Sequence, residues 1–259
     1  MKKMVKLGLF ALSGVAAISL ASCQNNANPN KSTTSTDNST STSTTTSTSD
    51  ALSYDEYVAT ADGEEVTISG YITGRTTWWN GAASFYLQDD NGGYYIYNLP
   101  CTQEAYTNDL TVSGGIEVTG IKGSWEGQME ILGSSAGNEA TYKLTGKTKT
   151  YTEKKVETLE DLANYPNQKV TIDVKVESDT KYGWDGSGSA GAGQDLYFDV
   201  TLNTVTYSFV VEAYLENTQY GSDLYTTVQG LKANDEITVS GFMYTYGLPQ
   251  VQVYSVVKK

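Results

Sequence analysis

The residues of this chain best equipped for chemistry are aromatic, and the chemistry they offer is stacking. Its four tryptophans are Trp78, Trp79, Trp125 and Trp184, and Tyr86, Tyr95, Tyr97, Tyr182, Tyr197 and Tyr246 fall in the same segments. Such rings stack on nucleobases, on the apolar faces of sugars, or in the pockets of a protein partner. A ligand that carries phosphates also needs cations beside the rings. Arg75 and Lys122 are the basic residues near the first group, and Lys181 stands near the second together with Asp179 and Asp185. The chain has 17 basic and 30 acidic residues, a net charge of −13, and no basic stripe stands out. A polyanion approaching such a surface gains little from counterion release.

Catalytic constellations are sparse. The absence of histidine removes His-based acid/base catalysis, Ser-His-Asp triads and every His-containing zinc site. Asp89-Asp90 is a carboxylate pair, but Asn91-Gly92-Gly93 follows it, and turn chemistry explains that string. Gly183 to Gly193 is glycine-rich without the strand, lysine and helix of a phosphate-cradling loop, so it reads as a flexible connection. Two carboxylates suffice for glycoside hydrolysis, and thirty acidic residues leave such a pair open to inspection. The expectation is a binder and not an enzyme, with no cofactor and no metal.

The elements that must position the rings come in two copies. Glu65-Val66-Thr67-Ile68 recurs as Lys169-Val170-Thr171-Ile172, Phe85-Tyr86-Leu87 as Leu196-Tyr197-Phe198, and Ile116-Glu117-Val118-Thr119-Gly120 as Ile237-Thr238-Val239-Ser240-Gly241. Gln128-Met129-Glu130-Ile131 likewise returns as Gln250-Val251-Gln252-Val253. The offset between partners grows along the chain, as when buried strands are kept and exposed loops lengthen. Alternation of apolar and polar residues predicts strands near 65–75, 84–89, 93–98, 115–122 and 127–132, then near 168–178, 194–200, 205–212, 236–243 and 249–257. Ser53-Tyr54-Asp55-Glu56 has capping-box spacing and predicts a helix over 54–60; Thr158-Leu159-Glu160-Asp161 predicts another. Room for one helical turn lies at 100–112, and for a longer helix at 213–234. The domains run from 51 to 150 and from 151 to 259.

This order of strands resembles the OB-fold. Val66-Thr67-Ile68-Ser69-Gly70-Tyr71-Ile72, then Phe85-Tyr86-Leu87-Gln88-Asp89, then Ile116-Glu117-Val118-Thr119-Gly120 is similar to the OB-like repeats of secreted bacterial nucleases and surface proteins. The second copy departs at Asp173, has longer loops, and carries Asn203-Thr204 where the first has its Asp-Asn-Gly-Gly hairpin. The resemblance implies an all-β chain with minor helix: two tandem five-stranded OB-like Greek-key barrels. It also implies a ligand across the second and third strands, walled by the loops after strands one and four. Trp78, Trp79, Tyr86, Tyr95, Tyr97 and Trp125 would then serve the first barrel, and Tyr182, Trp184, Tyr197 and Tyr246 the second, with Tyr94, Tyr207 and Tyr244 nearby. Packing of these rings as lids or sheet residues is the competing reading. If one barrel alone is a working module, the compact first is expected to be it.

Residues 1–22 read as a secretory signal, with Lys2, Lys3 and Lys6 before an apolar run from Leu7 to Leu20. Leu20-Ala21-Ser22-Cys23 resembles the lipobox of bacterial lipoproteins, which implies cleavage before Cys23 and lipidation of its sulfur. Cys101 is then the sole free thiol, expected as a small packed residue. Loss of the three signal lysines leaves 14 basic against 30 acidic residues, a net charge of −16. Residues 24–50 are almost entirely Ser, Thr, Asn and Asp, a disordered tether able to reach about 90 Å when fully extended. The expected whole is an extracytoplasmic binding protein held on a membrane by lipid. Its ligand is single-stranded nucleic acid by family resemblance, or else a glycan or a surface protein.

Overall fold

The computed structural model describes residues 51–135 and 137–259. The signal segment, Cys23 and the Ser/Thr-rich tether lie outside the described residues.

In the first repeat, α1 (Tyr54–Ala59) leads into β1 (Glu65–Arg75), β2 (Ala82–Gln88) and β3 (Gly93–Pro100). After α2 (Gln103–Asn108) come β4 (Gly114–Trp125), β5 (Gln128–Leu132), the two-residue strands β6 (Ser134–Ser135) and β7 (Asn138–Glu139), and β8 (Thr141–Thr148). The α1 capping box forms as its spacing predicts: Ser53 Oγ accepts from the Glu56 amide and Glu56 Oε2 accepts from the Ser53 amide. The second repeat contains β9 (Lys154–Val156), β10 (Lys169–Val176), β11 (Lys181–Tyr182), β12 (Leu196–Leu202), β13 (Val205–Val211), α3 (Asp223–Gln229), β14 (Glu236–Tyr246) and β15 (Leu248–Lys258). Where a second helix is expected after Thr158, a single 3₁₀ turn forms at Glu160–Asn164. Pro166 is the reason, because it disfavours helical backbone at Tyr165 and leaves no room to propagate.

Each repeat closes into a five-stranded barrel. Strand order runs β1-β2-β3-β5-β4 with β4 returning to β1, and β12-β13-β15-β14-β10 with β10 returning to β12. The duplicated phrases occupy equivalent registers: Val66 faces Gly120 and Ile68 faces Val118, while Val170 faces Gly241 and Ile172 faces Val239. The glycine that closes the motif marks a close approach. A Cβ at Gly241 would lie 2.3 Å from Val251 Cγ1 and 2.4 Å from the Gln252 carbonyl oxygen. Ile68, Phe85, Ile96, Ile116 and Ile131 fill the first core, and Ile172, Phe198, Phe209, Val239 and Val251 the second.

Five strands fall outside those the alternation predicts: β6, β7, β8, β9 and β11. β8 extends the first sheet by pairing with β4, and β9 pairs in parallel with β10. Nearly every side chain of β8 is exposed, so burial imposes no period of two on its sequence.

Candidate ligand-binding face

On an OB barrel the outward side chains of the second and third strands form the ligand face. In the first barrel these are Tyr86 and Tyr95, and both are buried, at 1% and 7% exposure. The second barrel covers them. Tyr86 stacks on Phe242 with ring centroids 4.2 Å apart and planes within 6°, and its hydroxyl donates to Gln252 Oε1 at 2.6 Å. Tyr95 meets Tyr244 edge-on at 5.7 Å. Gly74 leaves the space that Phe242 fills, since a Cβ there would sit 2.2 Å from Phe242 Cζ.

Polar contacts fix the same seam. The Arg75 guanidinium forms a bidentate ion pair with Glu216, both bonds 2.8 Å, and donates to the Tyr106 and Leu110 carbonyls. Thr77 N donates to Tyr214 O at 2.7 Å. Gln128 Nε2 donates to Asn167 Oδ1, and Thr245 N donates to Gln128 Oε1 at 2.9 Å. The two final hairpins also join, with Gly247 N donating to Glu126 O at 2.7 Å.

The sequence-derived candidates therefore separate. Tyr86 and Tyr95 are seam residues and are corrected as ligand contacts, because a packed barrel occupies their faces. Trp78 donates its indole N–H to Cys101 O at 2.9 Å and packs on the first core, so it serves as a lid. Tyr182 packs against the second core while its hydroxyl accepts from Gln229 Nε2 at 2.7 Å. Trp79 and Trp184 project into solvent at 80% and 77% exposure, on the loops after the first strand of each barrel. Tyr97, Trp125 and Tyr246 are exposed, and Tyr197 is partly so. The first barrel, expected as the working module, has its central face filled; the second retains an open one.

That open face carries a feature not anticipated from the sequence. Leu196 pairs with Val211 at the end of the β12–β13 ladder, which sets Asp195 opposite Glu212 one step further out. Asp195 Oδ1 accepts from Ala213 N at 2.8 Å. Burial, reinforced by the Asp195 charge, pushes the Glu212 carboxyl up to about 8. Burial raises Asp195 as well. Both shifts favour the protonated forms of the pair. Counting outward from the Asn203-Thr204 turn pairs these two residues, so the signal was present in the sequence.

The cations near the rings are committed elsewhere. Arg75 is held by Glu216; the Lys122 ammonium donates to the Tyr57, Val58 and Thr60 carbonyls and caps α1; Lys181 pairs with Asp199 at 2.8 Å. Asp89 Oδ1 accepts from the Asn91 and Gly92 amides, which confirms turn chemistry for the Asp89-Asp90 pair. Cys101 is buried in the first core and burial raises its thiol pKa, the behaviour of a packing residue. A cleft of about 260 Å³ between the barrels lies along Thr73, Arg75, Lys169, Phe242 and Tyr254, and none of the candidate rings lines it.

No protein-family model matches the sequence, and no curated protein matches it. Among solved structures the fold is similar to a murine DNA-binding protein bound with double-stranded DNA, at 10% identity and a TM-score of 0.37 over 74% of this chain and 96% of that one. It is similar also to a replication protein A heterotrimer bound to single-stranded DNA, at 8% identity and a TM-score of 0.26 over 80% and 69%. A deletion mutant of the single-stranded DNA-binding protein from Thermus aquaticus matches at 14% identity and a TM-score of 0.27 over 77% and 96%.

Chemically, the open face offers aromatic surfaces beside hydrogen-bonding carboxyls. Sugars fit this combination, since their C–H faces stack and their hydroxyls donate to carboxylates. Phosphates do not, because the nearest acids repel them and the nearest cations are already paired.

Proposed function

We propose that this chain is a lipid-anchored, extracytoplasmic, non-catalytic binding protein whose ligand is a neutral or cationic glycan. The observation that carries the reading is the pairing of accessible rings, Tyr197 and Tyr246, with the Asp195–Glu212 carboxyls on a face whose neighbouring cations are all engaged. The Leu20-Ala21-Ser22-Cys23 lipobox supports the anchor. A carboxyl pair sitting at a strand end, without a histidine or a metal-ligand cluster among the described residues, supports binding over turnover.

The test is a wall-polysaccharide array probed with the full chain in mild detergent. Binding should be reduced by about tenfold or more in Tyr197→Ala and in Tyr246→Ala, as for loss of a stacking platform of about 1–3 kcal/mol, and unchanged in Trp79→Ala. An array without signal removes the reading. Single-stranded nucleic acid is the second ligand class, favoured by the resemblance to repeats that accompany secreted nucleases. Binding of single-stranded DNA at low ionic strength that weakens steeply with salt would replace the glycan reading.

A further inference from the structure

The cleft between the barrels is walled by charged and aromatic side chains that the open face of the second barrel does not use. Its floor is Phe242, whose ring fills the space above Gly74 and lies 5.1 Å from that of Tyr254. On one side stands Arg75, with its guanidinium held by Glu216 and only 12% of its side chain exposed. On the other stands Lys169, which pairs with Phe242 across the β10–β14 ladder and sets its ammonium 5.4 Å from the centre of the Tyr254 ring. Val112 and Asn217 stand at the mouth, both exposed.

The two sides differ in what they have left to offer. Lys169 Nζ has three N–H donors and holds two protein oxygens, Tyr151 O at 3.2 Å and Glu153 Oε1 at 3.3 Å. Glu153 is bound by the Tyr254 hydroxyl at 2.7 Å and does not border the cleft, so the ammonium faces the space without its acid partner. Across Phe242, four of the five guanidinium N–H groups of Arg75 are spent on Glu216, Tyr106 O and Leu110 O. Each Glu216 oxygen accepts one of those bonds and keeps a second lone pair. One side therefore offers a cationic donor and the other an anionic acceptor, beside apolar surface from Val112 and Phe242.

We infer that this cleft is a binding site for a free amino acid with an apolar side chain: its carboxylate meets the Lys169 ammonium and the Asn217 amide, its ammonium meets Glu216, and its side chain lies on Phe242 and Val112. The site is separate from the glycan face and does not depend on the glycan reading. Size decides against a polymer. The space of about 260 Å³ falls below the roughly 300–1,000 Å³ of drug-sized pockets and suits one small molecule, at the kind of domain interface where such sites concentrate. Charge decides against a simple anion or cation. The pairs Arg75–Glu216 and Lys169–Glu153 are each neutral as they stand, with side chains 12–33% exposed. A singly charged ligand brings an uncompensated charge into that seam, whereas a zwitterion finds a partner for each of its ends.

The experiment is calorimetric titration of the full chain in mild detergent with leucine, leucinamide and N-acetylleucine, the second lacking the carboxylate and the third the ammonium. Leucine is expected to bind, and each derivative to bind at least about tenfold more weakly. Glu216→Gln should weaken leucine to the level of N-acetylleucine. Val112→Trp, at a mouth position with 50% of its surface exposed, should fill the entrance and weaken leucine by about tenfold while thermal unfolding of the unliganded chain stays unchanged. Tyr197→Ala, on the glycan face, should leave leucine binding as it is. Comparable binding of all three compounds would overturn the zwitterion. Leucine binding that survives Val112→Trp, or that is lost in Tyr197→Ala, would overturn the cleft as its place. Absence of binding by leucine, and by valine, methionine and phenylalanine titrated in the same way, would overturn the site whatever the glycan array shows.

Discussion

Asp195 and Glu212 face each other because the β12–β13 hairpin is regular up to Leu196 and Val211, and their proximity has a thermodynamic consequence. Glu212 holds its proton up to about pH 8 when folded, against a reference value of 4.5. Its contribution to stability is therefore complete below pH 4.5 and is lost progressively as the pH rises to about 8. Glu212→Gln keeps the shape and a hydrogen bond to ionised Asp195 while deleting the titration. Relative to the parent chain, this variant should gain stability between pH 5 and pH 8.5, by up to a few kcal/mol, and the gain should level off above that range. Thermal unfolding followed at a series of pH values measures it, and a difference that stays constant with pH would refute the raised Glu212 pKa. The dyad was legible in the sequence only to a reader who counted outward from Asn203-Thr204. Nothing in the composition of Gln194-Asp195-Leu196 distinguishes a buried carboxylate from a solvated one.

At the scale of elements, the barrels were readable and their docking was not. Alternating burial writes a period of two into β1, β4, β10 and β14, and the repeated Val-Thr-Ile and closing glycines follow from shared register. An outward tyrosine, by contrast, has the same sequence signature whether it meets a sugar, a base or another barrel. Tyr86 and Tyr95 meet Phe242 and Tyr244, which lie on β14, the fourth barrel strand of the second copy. Phe242 is the centre of this seam, touching Tyr86 and Tyr254 and filling the space above Gly74. Phe242→Ala should cost about 3 kcal/mol, and Gly74→Ala about 1–3 kcal/mol by overpacking against the same ring. Both variants should expose the 149–153 connection to limited proteolysis, since that segment bridges the loosened barrels. Trp79→Ala, at an 80% exposed loop position, should leave stability within about 0.5 kcal/mol and cleavage unchanged.

On the proposed reading, anchoring and binding of the whole molecule are separable: Cys23 lies in the segment preceding residue 51, and the candidate face lies wholly within 195–246. Two or three acyl chains, each contributing about 0.8 kcal/mol per buried methylene, hold a protein on a bilayer durably, whereas a single chain binds reversibly and a bare serine not at all. Cys23→Ser should therefore move the protein from the detergent-rich to the aqueous phase on phase partitioning and abolish incorporation of labelled palmitate. Its affinity for the glycan retained on the array should stay within about twofold of the parent chain, because no residue of that face has changed. Tyr197→Ala should give the opposite pattern, with full partitioning into detergent and lost affinity. Palmitate incorporation that persists in Cys23→Ser would refute the lipobox, and loss of affinity on release from detergent would show that the membrane itself supplies part of the site.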